Sequence, residues 1–540
     1  MKLIFNEVRY EYDIRGLITS FFPGTAVETK AADQQEEKEN QKTAHELSSW
    51  EKLLLSTACS YGLRTENQSE VIEEIPLPVS QEETDNKKDI GNKENIDTDE
   101  TVFCVFYHKA FTAVCAAGGG HCWCSAAFAD SSEGMEKNPL KRMTYGIFSI
   151  MTGGKLHPWG TLTGIRPVKL PMAMLEQGFS DEEIEAELKR EYLIGDEKCR
   201  LSIQIAHRER ALLDLLDYED GYSLYVGIPF CPTTCLYCSF TSYPYSRWEK
   251  RMEEYVEALE KEIRFVQQQF AGKKLNTIYF GGGTPTTLPP AYLDRILGRI
   301  TDGFDLSHLK EWTVEGGRPD SITPEKLEVI SRYPVDRISI NPQTMKQETL
   351  DLIGRRHTVE DVKKAFYMAR EAGFDNINMD LIIGLPQEHA DDVARTMEEI
   401  TALNPDNLTV HTLAIKRASR LNMEKEQYGH LYLEQNTAAM MDITARGAAS
   451  MGMEPYYLYR QKNMSGNLEN VGYAKPGKEG IYNILIMEEK QSIVALGAGS
   501  VTKRVEPDHI ERASNVKDIE QYLSRIDEMI QRKRELFASV

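Results

Sequence analysis

The 540-residue sequence lacks any run of 18 or more apolar residues, and its basic residues are in the minority. A bilayer-spanning helix needs about 20 apolar residues, so the sequence predicts no transmembrane span. Lys and Arg number 63 against 84 Asp and Glu, which gives a formal net charge of −21. This excess of negative charge argues against nucleic acid or an anionic membrane as the main partner.

Signals for export and for a disulfide framework are also lacking. The start, Met-Lys-Leu-Ile-Phe-Asn-Glu, reaches a charged residue too early for a signal peptide. Cysteine occurs nine times, and an odd number fits free thiols better than a set of disulfides. We therefore expect a cytoplasmic protein in a reducing compartment.

Three of the cysteines occur in the run Gly-Ile-Pro-Phe-Cys231-Pro-Thr-Thr-Cys235-Leu-Tyr-Cys238, directly after a short apolar segment. The C-x3-C-x2-C spacing supplies three thiolates, whereas a four-iron cluster takes four ligands. Zinc would ordinarily take a fourth Cys or His, and we find no partner pair. The spacing therefore favours a [4Fe-4S] cluster with one iron open to a non-protein ligand, over zinc or structural thiols.

A second group of cysteines lies earlier in the chain, close to His121. It lacks the repeated C-x2-C pattern of a metal site, so we expect ordinary buried thiols instead. The group consists of Cys104, Cys115, Cys122 and Cys124.

From residue 222 onward, apolar strand-like segments alternate with helical segments. Strands are predicted at 223–229, 276–281, 311–316, 336–341, 376–383 and 407–414. Helices are predicted at 247–269, 290–301, 324–332, 346–353, 359–372 and 390–402. Six successive strand–helix units predict a parallel sheet with helices outside it. An open doubly wound sheet fits this pattern as well, but polar residues recur at the strands' carboxyl ends, which favours a partial barrel.

The sequence predicts three regions: an N-terminal accessory domain over 1–215, a barrel over 216–420, and a C-terminal region over 421–540 that covers the barrel mouth. Within the first region, residues 64–100 contain twelve acidic and four basic residues. We therefore expect 28–100 to be a flexible acidic insertion, apart from a short helix near Ser49–Ala58. In the third region we expect helices over 424–451 and 516–535 and strands at 455–460 and 481–487.

Several polar or glycine-rich motifs follow predicted strands. The run Phe280-Gly-Gly-Gly-Thr-Pro-Thr286 lets the backbone approach a ligand closely, and it matches neither a P-loop nor a dinucleotide fingerprint. Glu315 ends the third strand and Gln343 follows the fourth. Asp380 interrupts the apolar fifth strand, where a buried carboxylate is costly unless it is paired. We expect Arg355 to be its cationic partner, either at a ligand site or in a purely structural salt bridge.

Together these motifs resemble the radical S-adenosylmethionine (SAM) superfamily and, within it, the oxygen-independent coproporphyrinogen III oxidases of the HemZ branch. The resemblance covers about 222–505 and rests on Leu-Tyr-Val-Gly-Ile-Pro-Phe-Cys, Phe-Gly-Gly-Gly-Thr-Pro-Thr, Val-Glu-Gly-Gly-Arg-Pro, Arg-Ile-Ser-Ile-Asn-Pro-Gln-Thr-Met and Asn-Met-Asp-Leu-Ile-Ile-Gly-Leu-Pro. It implies an α/β fold: a partial (β/α)6 TIM-type barrel with an N-terminal α+β extension and a C-terminal α+β region.

The resemblance also implies cofactors and their ligands. Cys231, Cys235 and Cys238 would bind a [4Fe-4S] cluster whose fourth iron is open to SAM, and one or two SAM molecules would be held. No catalytic residue is assigned beyond these cofactors. The SAM contacts implied by the resemblance are Tyr225, Tyr237, Gly282, Gly283, Thr284, Glu315, Gln343, Arg355, Asp380 and Ala414.

The implied reaction is an oxidative decarboxylation of two propionates of coproporphyrinogen III to vinyl groups, which gives protoporphyrinogen IX. An electron donor such as flavodoxin or ferredoxin is the implied protein partner. One departure favours an alternative: Phe240 stands where well-studied dehydrogenases of the family carry another cysteine. Related haem chaperones also have an aromatic residue there. A haem-binding chaperone, or a radical SAM enzyme acting on another tetrapyrrole, therefore stays an alternative.

Four propionates on an acidic protein require local basic residues. We expect Lys416 and Arg417 to provide this charge, with Arg420, Arg460 and Lys462 as further candidates or as solvated surface charge. Histidines that are candidates for binding haem iron, or that are simply hydrogen-bonded, are His357, His411 and His430.

Overall fold

The computed structural model describes residues 1–31, 49–64, 70–75, 101–108, 111–128, 137–164, 166–240, 242–416, 418–424, 437–461 and 467–538. The chain divides into two compact units. The first comprises Met1–Thr163 and Ser180–Arg200, and the second comprises Gly164–Phe179 and Leu201–Val540. Within the described ranges, no helix is long and apolar enough to cross a bilayer.

The first unit is built on a six-stranded mixed sheet in the order β2-β1-β4-β5-β6-β3. The strands are β1 (Lys2–Phe5), β2 (Glu28–Ala31), β3 (Ile72–Ile75), β4 (Val102–Tyr107), β5 (Phe111–Gly118) and β6 (His121–Phe128). The helices of this unit are α1 (Glu11–Phe21), α2 (Ser49–Arg64), α3 (Lys137–Met151) and α5 (Asp181–Tyr192). Helix α4 (Lys169–Glu176) belongs to the second unit. Helix α6 (Asp196–Leu213) begins in the first unit and ends in the second.

Alternation along the strands divides the core of this unit into two layers. Leu3 and Phe5 lie in one layer with apolar residues of α1 and α3. Ile4 lies in the other with Leu54 and Ala58 of α2. The stretch 28–100 thus contributes β2, α2 and β3, more regular structure than its polar composition predicts, because sheet pairing and a buried helix face stabilise these short segments.

The second group of cysteines lies in this sheet and corrects one expectation. Cys115 of β5 and Cys124 of β6 are register partners and form a disulfide, so the prediction of ordinary thiols is wrong for this pair. Their spacing in sequence did not reveal the pairing, because it depends on the hairpin register that places the two residues opposite each other. Cys104 and Cys122 are buried and not disulfide-bonded.

The second unit contains the predicted partial barrel. Its six parallel strands are neighbours in the order in which they occur in the chain, and each is followed by at least one helix before the next. These strands are β7 (Gly221–Ile228), β10 (Lys274–Gly282), β11 (Glu311–Gly317), β12 (Arg337–Ile340), β13 (Ile377–Ile383) and β14 (Asn407–Thr412). Two-residue strands β8 (Phe230–Cys231) and β9 (Tyr243–Pro244) pair in parallel beside the barrel.

Helices alternate with the barrel strands as the sequence predicts. They are α7 (Met252–Gln269), α8 (Pro290–Gly303), α9 (Pro324–Ser331), α10 (Gln347–Leu352), α11 (Val359–Glu371) and α12 (Ala390–Leu403). Several begin at side-chain caps. In α11, Asp361 N donates to Thr358 Oγ1 at 3.1 Å, and Thr358 N donates to the Asp361 carboxylate at 2.8 Å. This capping box satisfies backbone amide groups that the first helical turn leaves unpaired.

The C-terminal segments extend the same sheet at both edges. Strand β16 (Asn470–Ala474) pairs antiparallel with β14 and with β15 (Glu454–Tyr459). On the other side, β17 (Ser492–Leu496) pairs in parallel with β7, followed by antiparallel β18 (Val501–Val505) and β19 (Ile510–Ser514). The remaining helices are α13 (Arg420–Met423), α14 (Thr437–Ser450), α15 (Ile481–Glu488), α16 (Ile519–Ser524) and α17 (Ile526–Ala538).

The predicted strand at 481–487 is wrong, because this segment forms α15. Its run Ile-Tyr-Asn-Ile-Leu-Ile-Met is apolar and rich in isoleucine, a composition that fits a buried strand or a buried helix equally well over so few residues. Burial of Tyr482, Leu485 and Glu488 follows a helical spacing. Of the helix predicted over 424–451, residues 437–450 form α14, and 425–436 lie outside the described residues.

A buried ion pair ties the C-terminal helix to the barrel. Lys533 of α17 donates to Glu262 of α7 at 2.6 Å, and both side chains are almost fully buried. Glu262 also accepts hydrogen bonds from Gly497 N, Asn515 Nδ2 and the Tyr522 hydroxyl. Burial of a carboxylate is tolerated here because its oxygens are occupied by a cation and by hydrogen-bond donors.

Replacement of this carboxylate tests its contribution to stability. Glu262→Ala leaves Lys533 buried without its anion, so we expect the free energy of unfolding to fall by about 3–5 kcal/mol. Urea titration followed by tryptophan fluorescence measures the change. Glu257→Ala, on the exposed face of the same helix, is the control and should change stability little. Equal effects of the two substitutions would contradict the assigned role.

Candidate active site

The carboxyl ends of the barrel strands open into one cavity of about 520 Å³. Because the strands are parallel, residues at their ends meet at the same edge of the sheet. The lining residues that the sequence analysis singled out are Cys231, Cys235, Cys238, Tyr237, Gly282, Gly283, Thr284, Glu315, Gln343, Arg355, Asp380, His411, Ala414, Lys416 and Phe240.

The three cysteines lie on one short loop that begins at β8. The loop is fixed by backbone hydrogen bonds from Leu236 N to Ile353 O at 2.9 Å and from Cys238 N to Cys235 O at 3.2 Å. Leu236 is buried in an apolar cluster with Leu350 and Ile353, which supports the loop from behind. Burial raises the pKa of the Cys238 thiol to about 11, so binding a metal here requires release of a proton.

The glycine run after β10 lies directly against the cysteine loop. Gly283 N donates to Ile228 O at 2.8 Å, and Thr284 N donates to Phe230 O at 2.7 Å. A Cβ atom on Gly283 would lie 2.6 Å from Phe230 O and 3.0 Å from the Cys231 sulfur. Gly282 has φ +109°, a conformation that favours glycine. Only glycine therefore fits between β10 and the loop.

Glu315 lies near the carboxyl end of β11 and accepts a hydrogen bond from the Tyr279 hydroxyl at 2.6 Å. Burial raises the pKa of this carboxyl to about 7, although the Tyr279 hydrogen bond acts in the opposite direction. The side chain is thus poised between its neutral and charged forms near neutral pH. Either form accepts a hydrogen bond from a hydroxyl or an ammonium group of a ligand.

Gln343 and Arg355 follow β12 and face the same cavity. Gln343 has φ +70°, and its backbone N donates to Asp380 O at 2.9 Å while its own carbonyl accepts from Ile382 N. This sparsely populated conformation is held by pairing with β13. Arg355 donates to Asn341 O and, at 3.4 Å, to the Tyr237 hydroxyl.

The predicted Asp380–Arg355 pair is wrong. Asp380 accepts a hydrogen bond from Asn378 Nδ2 at 2.7 Å and lies 3.8 Å from His411 Nε2. Burial acts to raise the pKa of Asp380, but His411, Asn378 and Arg337 outweigh it and lower the pKa. Arg355 is directed to the cysteine loop instead, because the residues just before it are hydrogen-bonded to that loop, from Leu236 N to Ile353 O and from Thr233 Oγ1 to Gly354 O.

Tyr225 alone of the ten predicted SAM contacts is not among the cavity-lining residues. Its ring stacks with Tyr279 and Tyr482, at centroid distances of 6.2 and 6.3 Å. The residue supports Tyr279, which itself lines the cavity. Its assignment as a direct ligand contact stays a prediction.

The candidate basic residues that the structure describes lie in different environments. Lys416 lines the cavity, and burial lowers its pKa. Arg420 instead pairs with Glu424 at 3.0 Å, and Arg460 is buried and donates to Asn467 O at 3.0 Å. Arg417, Lys462 and His430 lie outside the described residues. Of the other two histidines, His411 lines the cavity, whereas His357 does not line it and is buried.

Several lining residues were not found by sequence reasoning. Arg337 is buried, and its charge acts to lower the pKa of Glu311, Glu315 and Asp380, although burial still leaves the pKa of the two glutamates raised. A usable signal exists in the sequence: polar residues recur at every second position of strands that are otherwise apolar, which predicts an inward-facing polar row. The lining residues that sequence reasoning missed include Arg318, Arg337, Ser339, Asn341, Asn378, Thr409, Tyr457, Tyr459 and Asn483, of which Arg318 follows β11 and Asn483 lies on α15, outside any strand.

The cavity wall contains buried polar atoms that have no hydrogen-bond partner among the described residues. They are Arg337 Nε, Ser339 Oγ, Asn341 Oδ1, Gln343 Oε1 and Arg355 Nε. Such atoms are costly unless a ligand or water satisfies them. Together with the glycine run, which leaves backbone open to a ligand, they fit a polar cofactor such as SAM.

The cysteines do not form a single-ion site. Within the described ranges, no three His, Cys, Asp or Glu side chains converge closely enough to bind one metal ion. The three cysteines line the cavity wall instead. A cubane, in which each thiolate bonds a different iron, does not require three sulfurs to converge on one ion.

The sequence profile of the radical SAM superfamily matches residues 225–400, which contain the cysteine loop and the first five barrel strands. The oxygen-independent coproporphyrinogen-III oxidase-like protein HemZ of Bacillus subtilis (strain 168) is 44% identical over 397 residues, which cover 72% of this chain and 79% of HemZ. The chain belongs to this HemZ-like family of radical SAM proteins. Membership implies a [4Fe-4S] cluster and SAM as cofactors.

Further similarities extend to proteins with different names. The haem chaperone HemW of the same organism is 30% identical over 280 residues, which cover 52% of this chain and 70% of HemW. Among solved structures, coproporphyrinogen III oxidase (HemN) from Escherichia coli aligns with a TM-score of 0.48 and 24% identity, over 59% of this chain and 73% of that chain. By sequence alone, the relatives of this chain include both an oxidase-like protein and a chaperone-named protein.

Substitution at the glycine run tests the fit between β10 and the cysteine loop. Gly283→Ala places a methyl group against Phe230 O and the Cys231 sulfur, so we expect at least a fivefold loss of bound iron and sulfide after anaerobic reconstitution. Iron and sulfide analysis measures the loss. Gly164→Ala, where a Cβ meets no atom within 4 Å, is the control and should retain the iron. Equal iron content in both variants would contradict the close approach.

The raised pKa of Glu315 predicts a pH dependence of stability. The pKa of Glu315 is about 7 in the folded protein and about 4.5 in the unfolded chain. Between these two pH values the folded state binds more protons than the unfolded state. The contribution of Glu315 to the free energy of unfolding therefore falls as the pH rises from 4.5 to 7. In SAM-free protein, the free energy of unfolding should therefore fall less between pH 5 and pH 8 for Glu315→Gln than for the wild type. The expected difference is about 1–2 kcal/mol after allowance for screening. Urea unfolding at four pH values measures it; parallel curves for the two proteins would contradict the shift.

Proposed function

We propose that the chain catalyses the oxidative decarboxylation of two propionate side chains of coproporphyrinogen III to vinyl groups. The observation that carries the proposal is one cavity that combines the three-cysteine loop, the glycine run and the buried polar groups at the strand ends. When bound, the cluster and SAM supply the radical chemistry that removes a hydrogen atom from a propionate. The substrate must then lose carbon dioxide and one further electron for each propionate, and an external one-electron acceptor would take up that electron. This chain's own side chains would bind and orient the substrate and exclude water.

The proposal divides the cavity between cofactors and substrate. Cys231, Cys235 and Cys238 would hold the cluster, and Gly282, Gly283 and Thr284 would hold the amino-acid end of SAM. Gln343 and Arg355, whose Oε1 and Nε atoms have no hydrogen-bond partner among the described residues, would satisfy further polar groups of SAM. Glu315 and Asp380 would accept hydrogen bonds from it, with Tyr225, Tyr237 and Ala414 as the other contacts.

Substrate recognition requires positive charge at the cavity, because the substrate carries four carboxylates. Lys416 follows β14 and lines the cavity, and we propose that its ammonium group, with Arg417 next to it in the sequence, binds a propionate. The lowered pKa of Lys416 reflects the cost of removing its ammonium group from water. A bound carboxylate would relieve that cost.

A second candidate function is a haem-binding carrier, and Phe240 is the observation that favours it. The side chain is 76% exposed at the cavity and stands two residues after Cys238. An exposed aromatic ring beside the cofactor site offers a stacking surface for a planar tetrapyrrole but no thiol for chemistry. A radical SAM reaction on a different tetrapyrrole would use the same surface.

The electron donor and the compartment are part of the proposal. One-electron reduction of the cluster requires a partner such as flavodoxin or ferredoxin, and an oxygen-sensitive cluster favours the reducing cytoplasm. The Cys115–Cys124 disulfide argues in the opposite direction, because disulfides are rare in reducing compartments. We give the cluster more weight, since the proposed reaction depends on it.

An anaerobic assay with coproporphyrinogen III, SAM and a chemical reductant tests the proposed function. We expect carbon dioxide, a divinyl product and 5′-deoxyadenosine from the reconstituted protein, and at least a hundredfold less from Cys235→Ala, because the cluster then lacks one of its three protein ligands. Product analysis by liquid chromatography and mass spectrometry provides the measurement.

The same assay separates the alternatives. Stoichiometric haem binding without vinyl product would contradict the decarboxylation and support the carrier. A methylated tetrapyrrole would support a different radical SAM reaction. Phe240→Ala provides a control for the carrier, because it should weaken haem binding while leaving the iron content of the protein unchanged.

A further inference from the structure

Arg318 is a buried cation that is fastened to the cysteine loop. Its side chain is 2% exposed, and Nη1 donates to Thr233 O at 3.2 Å and to Thr233 Oγ1 at 2.5 Å. Thr233 lies midway between Cys231 and Cys235, and its own hydroxyl donates to Gly354 O at 3.1 Å. Arg318 also lines the cavity that the three cysteines line. It belongs to none of the cluster-ligand or SAM-contact sets assigned above.

Asp320 orients this guanidinium. Arg318 Nε donates to Asp320 Oδ1 at 2.9 Å, and Nη2 donates to Oδ2 at 2.6 Å, a bidentate pair. The edge of the guanidinium formed by Nε and Nη2 therefore faces the carboxylate, and Nη1 is left to face the loop. A tight turn through Gly317, with φ +62°, and the short 3-10 turn at Pro319–Ser321 bring both residues to this position.

Among the described residues, the other titratable and charged groups around the pair include Arg355, Asp361, His357 and Cys231. Both ring nitrogens of His357 lack a hydrogen-bond partner among the described residues, and its Nδ1 lies 3.9 Å from Asp320 Oδ1. Burial, with Arg355 and Arg318, lowers the pKa of His357 to about 4. The imidazole is therefore neutral near pH 7, and it neither cancels nor adds to the charge of the Arg318–Asp320 pair.

A cluster on the cysteine loop gains one negative charge when a one-electron donor reduces it. Its potential is set by the charges and hydrogen bonds around it, and a fixed charge acts strongly where water is excluded. Arg318 presents positive charge to the loop, while Asp320 places a compensating negative charge on the far side of the guanidinium. The two residues thus act on the same site with opposite sign.

We propose that Arg318 is a positioning residue that favours the reduced state of the cluster, and that Asp320 limits this effect. The inference rests on the proposed cluster site and goes beyond it, because it assigns control of the reduction potential to a pair that binds neither the iron nor SAM. The simpler alternative is a structural clasp that only holds the loop in place. A clasp predicts that loss of either partner has the same effect.

Redox titration of the reconstituted full-length chain, followed by the electron paramagnetic resonance signal of the reduced cluster, separates these ideas. Arg318→Gln removes the cation and leaves Asp320, so the midpoint should move to more negative potential. Asp320→Asn removes the anion and leaves Arg318, so the midpoint should move to more positive potential. Arg318→Lys keeps the positive charge but loses the bidentate pairing with Asp320. The shift of the midpoint potential should therefore be smaller for Arg318→Lys than for Arg318→Gln.

Matched controls are Arg332→Gln and Glu328→Gln, which remove one partner each of an exposed ion pair with an N–O distance of 2.7 Å. Glu328 lies on α9 and Arg332 directly follows it, and neither substitution should change the potential. Shifts of the same sign in Arg318→Gln and Asp320→Asn, or shifts no larger than those of the controls, would overturn the inference. If Arg318→Gln holds no iron, the positive shift of Asp320→Asn alone decides between the two ideas. A wild-type chain that binds no cluster would instead overturn the proposed function.

Discussion

The close approach of the glycine run to the cysteine loop is the constraint on which the site depends. Two backbone hydrogen bonds, from Gly283 N and Thr284 N, join the end of β10 to the segment that leads into Cys231, and a Cβ on Gly283 would meet Phe230 O at 2.6 Å. Since β10 is the neighbour of β7, the parallel register fixes where the loop begins. The positions of the three cysteine sulfurs therefore depend on the register of β7 and β10 as well as on the loop itself.

Charge is arranged differently inside the cavity and outside it. The chain as a whole is strongly acidic, yet its cavity contains Arg318, Arg337, Arg355 and Lys416. Arg337 partly offsets the cost of burying Glu311, Glu315 and Asp380, and Asp380 acts to raise the pKa of Glu315. This balance lets acidic hydrogen-bond acceptors and a cysteine loop coexist in one barrel.

Much of the barrel and of the cavity was predictable from the sequence, because strand–helix alternation and strand-end motifs are local features. Each predicted barrel strand is present, and Gln343, Arg355 and Asp380 meet although they lie far apart in the chain. The failures concern features that depend on packing. The segment 481–487 is a helix because burial of Tyr482 and Leu485 decides between two structures that its composition allows equally.

Long-range pairings were the other features that sequence reasoning missed. The Cys115–Cys124 disulfide depends on the register of a hairpin, and the partner of Asp380 is His411 on the next strand, not Arg355. Sequence reasoning missed the inward-facing Arg337 because a single arginine at the start of a strand does not by itself indicate burial. Its position in the same row as Ser339 and Asn341 is the period-two signal that identifies it.

The most direct test of the central claim, a cluster with one iron open to SAM, is electron paramagnetic resonance of the reduced protein with and without methyl-labelled SAM. The account predicts a [4Fe-4S] signal whose g-values change when SAM is added, with hyperfine coupling from the label that shows SAM bound close to the cluster. A signal that SAM leaves unchanged, or iron that Cys231→Ala, Cys235→Ala and Cys238→Ala all retain, would contradict it.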